Sequence, residues 1–358
     1  DDDPLRCHTC SFSLDTLGPG RCTRCNVEFV QPTSSVQFDA SAASTVPPLE
    51  QVRDDVWAIA MAMPGGHIPY SYIYLFRDAE GSLHVVDAGY DLEENWQRFV
   101  DGVASIGNQL SDVKTIVVTH MHPDHLGMAN RIRTATGAPL VMHREEQHAL
   151  DGTNWAAKAL AANLDGWGVP EDRLPELERV MNGEASTGGL VHIDRLLEDG
   201  EVIQWPGISL TVMWTPGHTG GHFCLRDDDR KFLITGDHVL PNMHAGLGLG
   251  APTDTNPLAD YLAGLRRVSA YDHYEVFPGH GYRFNGIAGR AAQSGEHHLR
   301  RAREISVVLA ENPDLSVWET ASKLTWTAGW ENLASFFLYS ALLQCSMHRE
   351  YLAQGGEV

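Results

Sequence analysis

The sequence predicts an alternating α/β fold. Three observations carry that reading: apolar runs of strand length from Val56 onward, amphipathic helical stretches between them, and polar, glycine-flanked turns where strands end. A hydrophobic content of 43% over 358 residues can fill a sizeable core, and a chain this long is expected to carry smaller pieces around one main domain.

Residues 1–35 are expected to form a separate segment. It holds Cys7-His8-Thr9-Cys10 and Cys22-Thr23-Arg24-Cys25, two Cys-x-x-Cys hooks eleven residues apart. Paired hooks place four thiolates tetrahedrally, so Cys7, Cys10, Cys22 and Cys25 are read as a zinc-ribbon-like site for one structural zinc, in preference to redox cysteines or an iron site. Homodimerisation or covering of the active site is its expected role. Six cysteines, four of them here, suit a reduced compartment with a local metal site. Residues 36–51, rich in Ser, Ala and Pro, read as a linker.

The main domain is expected over residues 52–285. Tyr72-Ile73-Tyr74-Leu75-Phe76 and Leu83-His84-Val85-Val86-Asp87 read as strands. A helix follows from about Leu92, with Asp91 as N-cap and Trp96, Phe99, Val100 and Val103 on its buried face. Residues 113–118 form a buried strand, and residues 128–136 a helix closed by Gly137. Residues 144–185, with Trp167, read as an insertion of helix and loop before strands return at 201–236. Asn256, followed by Pro257, caps another helix, and Glu275-Val276-Phe277 is a last apolar strand. Residues 286–358 are expected to be a helical extension, with Leu299, Ile305, Val308 and Leu309 on one face.

The chemistry gathers behind the 113–118 strand, in Thr119-His120-Met121-His122-Pro123-Asp124-His125. Side chains two apart in an extended segment point the same way, so His120 and His122 can grip one metal, while Asp124 and His125, past the turn, can face a second. Three further candidates follow strands beside glycine: His218 in Thr215-Pro216-Gly217-His218-Thr219, Asp237 in Thr235-Gly236-Asp237-His238, and His280 in Pro278-Gly279-His280-Gly281. Glycine lets the backbone turn sharply and approach an ion closely. Imidazole with carboxylate suits zinc, and iron or manganese also accept it. No Gly-x-Ser-x-Gly elbow supports a serine nucleophile.

This ordered set resembles the metallo-β-lactamase superfamily, particularly its glyoxalase-II-like members with the His-x-His-x-Asp-His motif. The resemblance implies an αββα sandwich with two zinc ions at one edge of its sheets. It places His120, His122 and His218 on one ion and Asp124, His125 and His280 on the other, with Asp237 bridging and Asp87 supporting the metal loop from behind. It further implies a hydrolase in which hydroxide shared by two metals cleaves an ester, thioester, lactone or amide bond of a small organic or acyl-CoA-like substrate. Asp124 and Asp237 are its expected catalytic carboxylates. The alternatives within the superfamily are a persulfide dioxygenase built on one iron and a phosphodiesterase or ribonuclease. The C-terminal extension resembles the winged-helix-like extension of some relatives. Its Trp326 or Trp330, with His244, are candidates for the substrate-pocket wall, although aromatics at helical spacing more often fill a core. Gly246-Leu247-Gly248-Leu249-Gly250 reads as a flexible loop giving the substrate access, since no strand leads into it with a helix directly behind.

Charge and hydropathy narrow the partners. With 26 basic against 47 acidic residues, the net charge of -21 would repel a phosphate backbone, so a small-molecule substrate is expected and no nucleic acid. No run approaches the roughly 18 apolar residues of a membrane span, and no charged-then-apolar leader is evident. A cytoplasmic protein without membrane attachment is the expectation.

Overall fold

The computed structural model describes residues 30–65, 68–150, 163–164, 166–183 and 191–358. The cysteines expected to hold a structural zinc, Cys7, Cys10, Cys22 and Cys25, lie outside the described residues. Among those described, the chain forms two seven-stranded sheets. One runs in the order β2 (Glu50–Arg53), β3 (Val56–Ala62), β4 (Tyr70–Arg77), β5 (Leu83–Val86), β6 (Val113–Val117), β7 (Leu140–His143), β8 (Arg195–Leu197). The other runs β1 (Gln31–Pro32), β14 (Phe284–Asn285), β13 (Glu275–Pro278), β12 (Phe232–Gly236), β11 (Phe223–Asp227), β10 (Ile208–Trp214), β9 (Val202–Trp205).

The strand pleat explains why the central strands read as continuous apolar runs. In β3, Val56, Ala58 and Ala60 belong to the core between the sheets, while Trp57, Ile59 and Met61 pack on the opposite face. Tyr70, Tyr72, Tyr74 and Phe76 of β4 continue the inner row against Trp205, Phe232 and Phe277. Alternate residues point to opposite faces, so both sets must be apolar when both faces are covered. Phe99 of the helix Glu93–Ser105 and Ile132 of the helix Ala129–Thr136 cover the first sheet. Leu258, Tyr261 and Leu265 of the helix Pro257–Ser269, and Ile287 and Ala291 of the helix Ile287–Glu311, cover the second. The four layers are helix, sheet, sheet, helix, the expected αββα sandwich.

Helix ends follow local chemistry. Asn256 accepts the N–H groups of Leu258 and Ala259, with Pro257 at the first helical position. Gly137 closes its helix at φ 76°, a conformation that costs a side-chain-bearing residue. The expected Asp91 cap is not formed. Leu92 holds the N-cap without a side-chain bond, Glu93 and Glu94 supply acid to the first turn, and Asp91 faces Arg131 at 3.5 Å.

Two expectations need correction. Residues 36–51 are not a linker: Ser34 caps the helix Ser35–Ala42 by accepting the Gln37 N–H, and β2 pairs with β3. Composition misled because this helix is held by tertiary contacts rather than by an apolar stripe. Buried Gln37 accepts the Arg283 N–H at 2.9 Å, Phe38 meets Tyr282 edge-on at 5.1 Å, and Ser34 donates to Glu50 at 2.8 Å. The C-terminal extension, in turn, has no strand from residue 286 to 358 and therefore no wing. It consists of Ile287–Glu311, Val317–Ser322, the 3-10 turn Trp330–Asn332 and Ser335–Ala353, which share an apolar cluster with Trp167 and Leu177 of the insertion. No helix among the described residues is long and apolar enough to cross a membrane.

Candidate metal centre

Four strand ends deliver the seven expected ligands to one edge of the sandwich. The 119–125 segment follows β6, with Pro123 opening the one-turn helix Pro123–Leu126 that swings Asp124 and His125 inward. His218 lies in the turn between β10 and β11, Asp237 follows β12, and His280 follows β13. The first sheet supplies four ligands and the second three.

They converge as two sets. His122 Nδ1 lies 3.1 Å from His120 Nε2 and 3.0 Å from His218 Nε2, so three imidazole nitrogens face one point. Asp124 Oδ2 lies 3.0 Å from His280 Nε2 and 3.4 Å from His125 Nε2, which are themselves 3.4 Å apart. Asp237 spans both sets: Oδ2 is 3.6 Å from His218 Nε2 and 3.3 Å from His280 Nε2, and Oδ1 is 3.3 Å from His125 Nε2.

The far nitrogen of each ring is held too. His125 Nδ1 donates to Asp87 Oδ2 at 2.8 Å, His280 Nδ1 to the Tyr70 carbonyl at 2.7 Å, His218 Nδ1 to the Gly246 carbonyl at 2.6 Å and His122 Nε2 to the Leu249 carbonyl at 2.8 Å. His120 Nδ1 lies 3.1 Å from Thr119 Oγ1. Carbonyl and carboxylate partners accept only, so they set the tautomer and leave the inward nitrogen's lone pair free for a cation. Asp87 also accepts the Thr119 N–H at 2.8 Å and so anchors the start of the motif.

Electrostatics divides the two sets. Burial pushes His120, His122 and His218 down, His218 to about 4, so these rings are neutral at physiological pH. Burial opposes charge in the second set as well, but there the carboxylates outweigh it: Asp237 and Asp124 raise His280 to about 10, and His125 rises well above its ordinary value. The same contacts hold Asp124 and Asp237 well below the usual carboxylate range, against burial.

These residues fit a pair of divalent cations. Imidazole and carboxylate are the donors that borderline ions take. Asp237 Oδ1 is buried and makes no hydrogen bond, with His125 Nε2 facing it at 3.3 Å as a fellow donor to an ion would. A Cβ on Gly279 would stand 2.5 Å from that oxygen and 2.8 Å from His125 Cε1, so the backbone passes too close for any side chain.

Three features escaped the sequence reading. Buried His222 accepts the Asp237 N–H at 3.1 Å through Nε2 and lies 3.0 Å from Thr215 Oγ1 through Nδ1, which steadies the bridging residue. Its only signal is its place four residues beyond His218. The glycine-rich stretch 246–250, expected only as an access loop, holds His218 and His122 through the carbonyls of Gly246 and Leu249. Tyr70 and Tyr74 donate to the carbonyls of Gly281 and Pro278, each at 2.8 Å, and brace the loop of His280. Of the expected pocket residues, His244 stacks on His297 at 4.1 Å. Trp326 donates to the Ala321 carbonyl at 2.8 Å under the Arg301 guanidinium, and Trp330 packs on Trp318 at 4.9 Å. Those contacts lie with the C-terminal helices and not with the seven ligands.

Comparison with known proteins agrees with this geometry. Residues 69–280 match the family model described as "Metallo-beta-lactamase superfamily". The chain belongs to that superfamily. It is similar to the probable metallo-hydrolase YqjP of Bacillus subtilis, 24% identical over 73% of this chain and 82% of the relative. It is also similar to the acyl-coenzyme A thioesterase MBLAC2 of Bos taurus, 30% identical over 46% of this chain and 54% of the relative. The crystal structure of a beta-lactamase domain protein from Burkholderia ambifaria, 24% identical, superposes with a TM-score of 0.74 over 92% of this chain and 94% of that one.

Proposed function

We propose that the protein is a dinuclear metallo-hydrolase acting on a thioester or a related acyl bond, with zinc as the resident metal. One observation carries the reading: two complete ligand sets share Asp237, and each imidazole is already oriented from behind. A dinuclear site supplies a Lewis acid for the scissile carbonyl and a water acidified from pKa 15.7 toward about 7. The chain's own residues do the rest. Asp124, which meets one ligand set where Asp237 spans both, is assigned to accept the attacking water's proton and aim its lone pair. His222 holds the Asp237 backbone in place while charge moves at the centre.

The thioester preference rests on relatives. MBLAC2 is described as an acyl-coenzyme A thioesterase, and a 119-residue match at 27% identity is to an atrochrysone carboxyl ACP thioesterase of Cryptosporiopsis. The test is a panel of thioesters, esters, lactones, β-lactams and phosphodiesters assayed with zinc, manganese and iron. Thioesters are expected to stand out, and one iron per chain with oxygen uptake would overturn the hydrolase reading. In Asp124→Asn with both metals retained, kcat is expected to fall by about 100-fold or more. Full activity there would remove Asp124 from its role.

A further inference from the structure

One buried carboxyl group lies outside the ligand set and beside the two loops that carry His120, His122 and His218. Glu146 ends the 3-10 turn Arg144–Glu146, directly after β7 of the first sheet, and is 1% exposed. Its Oε1 accepts the Thr219 hydroxyl in a short hydrogen bond and the Gly221 N–H at 3.2 Å. The Met121 N–H faces the same carboxyl. Met121 stands between His120 and His122, and Thr219 follows His218.

We infer that Glu146 is a positioning residue that sets the spacing between the His120–His122 loop and the His218 loop, and so preorganises the three-imidazole metal set. The two loops come from opposite sheets, and no covalent link fixes their separation. A carboxylate can accept from several donors at once, so one side chain can hold both. The backbone gives independent support. A Cβ on Gly221 would stand 2.5 Å from the Glu146 backbone nitrogen and 2.6 Å from Glu146 Cγ, so the His218 loop lies on this residue with no room for a side chain. Burial pushes the carboxyl up to about 7, and the donors around it, Thr219 first, oppose that rise. Among the described residues, the side-chain hydrogen bonds of Glu146 go to Thr219 and Gly221 and none goes to Asp124, His125, Asp237 or His280.

The inference rests on the dinuclear reading above, and its test separates the two. Zinc is removed from the full-length protein, then zinc or cobalt(II) is titrated back against a competing chelator, for the wild type, Glu146→Gln and Thr219→Val. Cobalt(II) absorption distinguishes the three-imidazole set from the carboxylate-rich one. Wild type is expected to take two ions. Glu146→Gln keeps an acceptor for Thr219 but turns an amide N–H toward another donor, and is expected to bind the three-imidazole ion at least about 10-fold more weakly, with the second set nearly unchanged. Thr219→Val, which removes a single donor, is expected to weaken the same set by less and serves if Glu146→Gln fails to fold. Equal weakening of both sets, or of neither, would overturn the positioning role and leave the dinuclear reading standing. A wild type that binds fewer than two ions would overturn the dinuclear reading itself.

Discussion

At the scale of single residues, the centre works by directing imidazoles from behind. Asp87 shows this most clearly: it accepts from His125 Nδ1, from the Thr119 N–H and from the Thr119 hydroxyl at 3.1 Å, and it sits at φ 62°, a strained conformation for a residue with a side chain. Asp87→Asn keeps size and shape but offers a donor where three donors already point. Metal affinity of the Asp124–His125–His280 set is expected to fall about 10- to 100-fold, and that of the His120–His122–His218 set by less, because Thr119, which holds His120, also donates to Asp87. Chelator competition measures both sets, and no loss in the Asp124–His125–His280 set would contradict the role of Asp87 behind His125.

At the scale of elements, loops can meet at one edge because their strands are rigid and their closest approaches are glycine. Gly279 lies between β13 and His280, with Asp237 Oδ1 and His125 Cε1 on the side where a Cβ would project. Gly279→Ala is therefore expected to displace the bridging carboxylate. Activity should fall by about 100-fold or more while the far-ultraviolet circular dichroism spectrum stays that of the wild type, and unchanged kcat/KM would show that the edge has slack. The N-terminal strand and helix are fastened differently. Arg283, buried, joins Glu275 and Glu50, and Thr33 also reaches Glu275. Arg283→Met leaves Glu50 without its cation and Glu275 with Arg53 alone, and is expected to cost about 1–3 kcal/mol in denaturant unfolding. A loss below about 1 kcal/mol would mean that this segment is held by its apolar contacts alone.

What could be read in advance follows from these scales. The candidate ligands could be named in advance because a metal restricts residue type, and the fold brings His120, His122, Asp124, His125, His218, Asp237 and His280 together, with glycine marking the turns that carry them. The two-faced strands were legible from apolar runs such as 72–76. The docking of residues 31–53 was not, because hydrogen bonds between Gln37 and Arg283, or Ser34 and Glu50, join positions far apart in sequence and leave no periodicity. His222 and Glu146 were missed for a related reason. Their role is set by which backbone lies opposite them, and only the packed sheets bring that backbone near.

At the scale of the molecule, the metal centre links the two halves of the sandwich. His120, His122, Asp124 and His125 come from the first sheet's side, and His218, Asp237 and His280 from the second's. Metal binding to the folded state alone contributes about 2.7 kcal/mol per site when free metal is 100 times its Kd, so chelation is expected to lower Tm by several degrees and zinc to restore it. Proton traffic then tells the two sets apart. In the metal-free protein His125 is raised well above its ordinary value and His280 to about 10, so both are protonated at pH 7, while His120, His122 and His218 are pushed down and neutral. Coordination requires neutral imidazole. Filling the second set must therefore expel about two protons and filling the first none, and only the second set's affinity should rise with pH between about 6 and 9. Calorimetric titration of zinc in two buffers of different ionisation heat measures this directly: the apparent enthalpy of one binding step is expected to change with the buffer and that of the other to stay constant. If neither step depends on the buffer, the charge assigned to His125 and His280 is wrong, and Asp124 and Asp237 must be balanced in some other way.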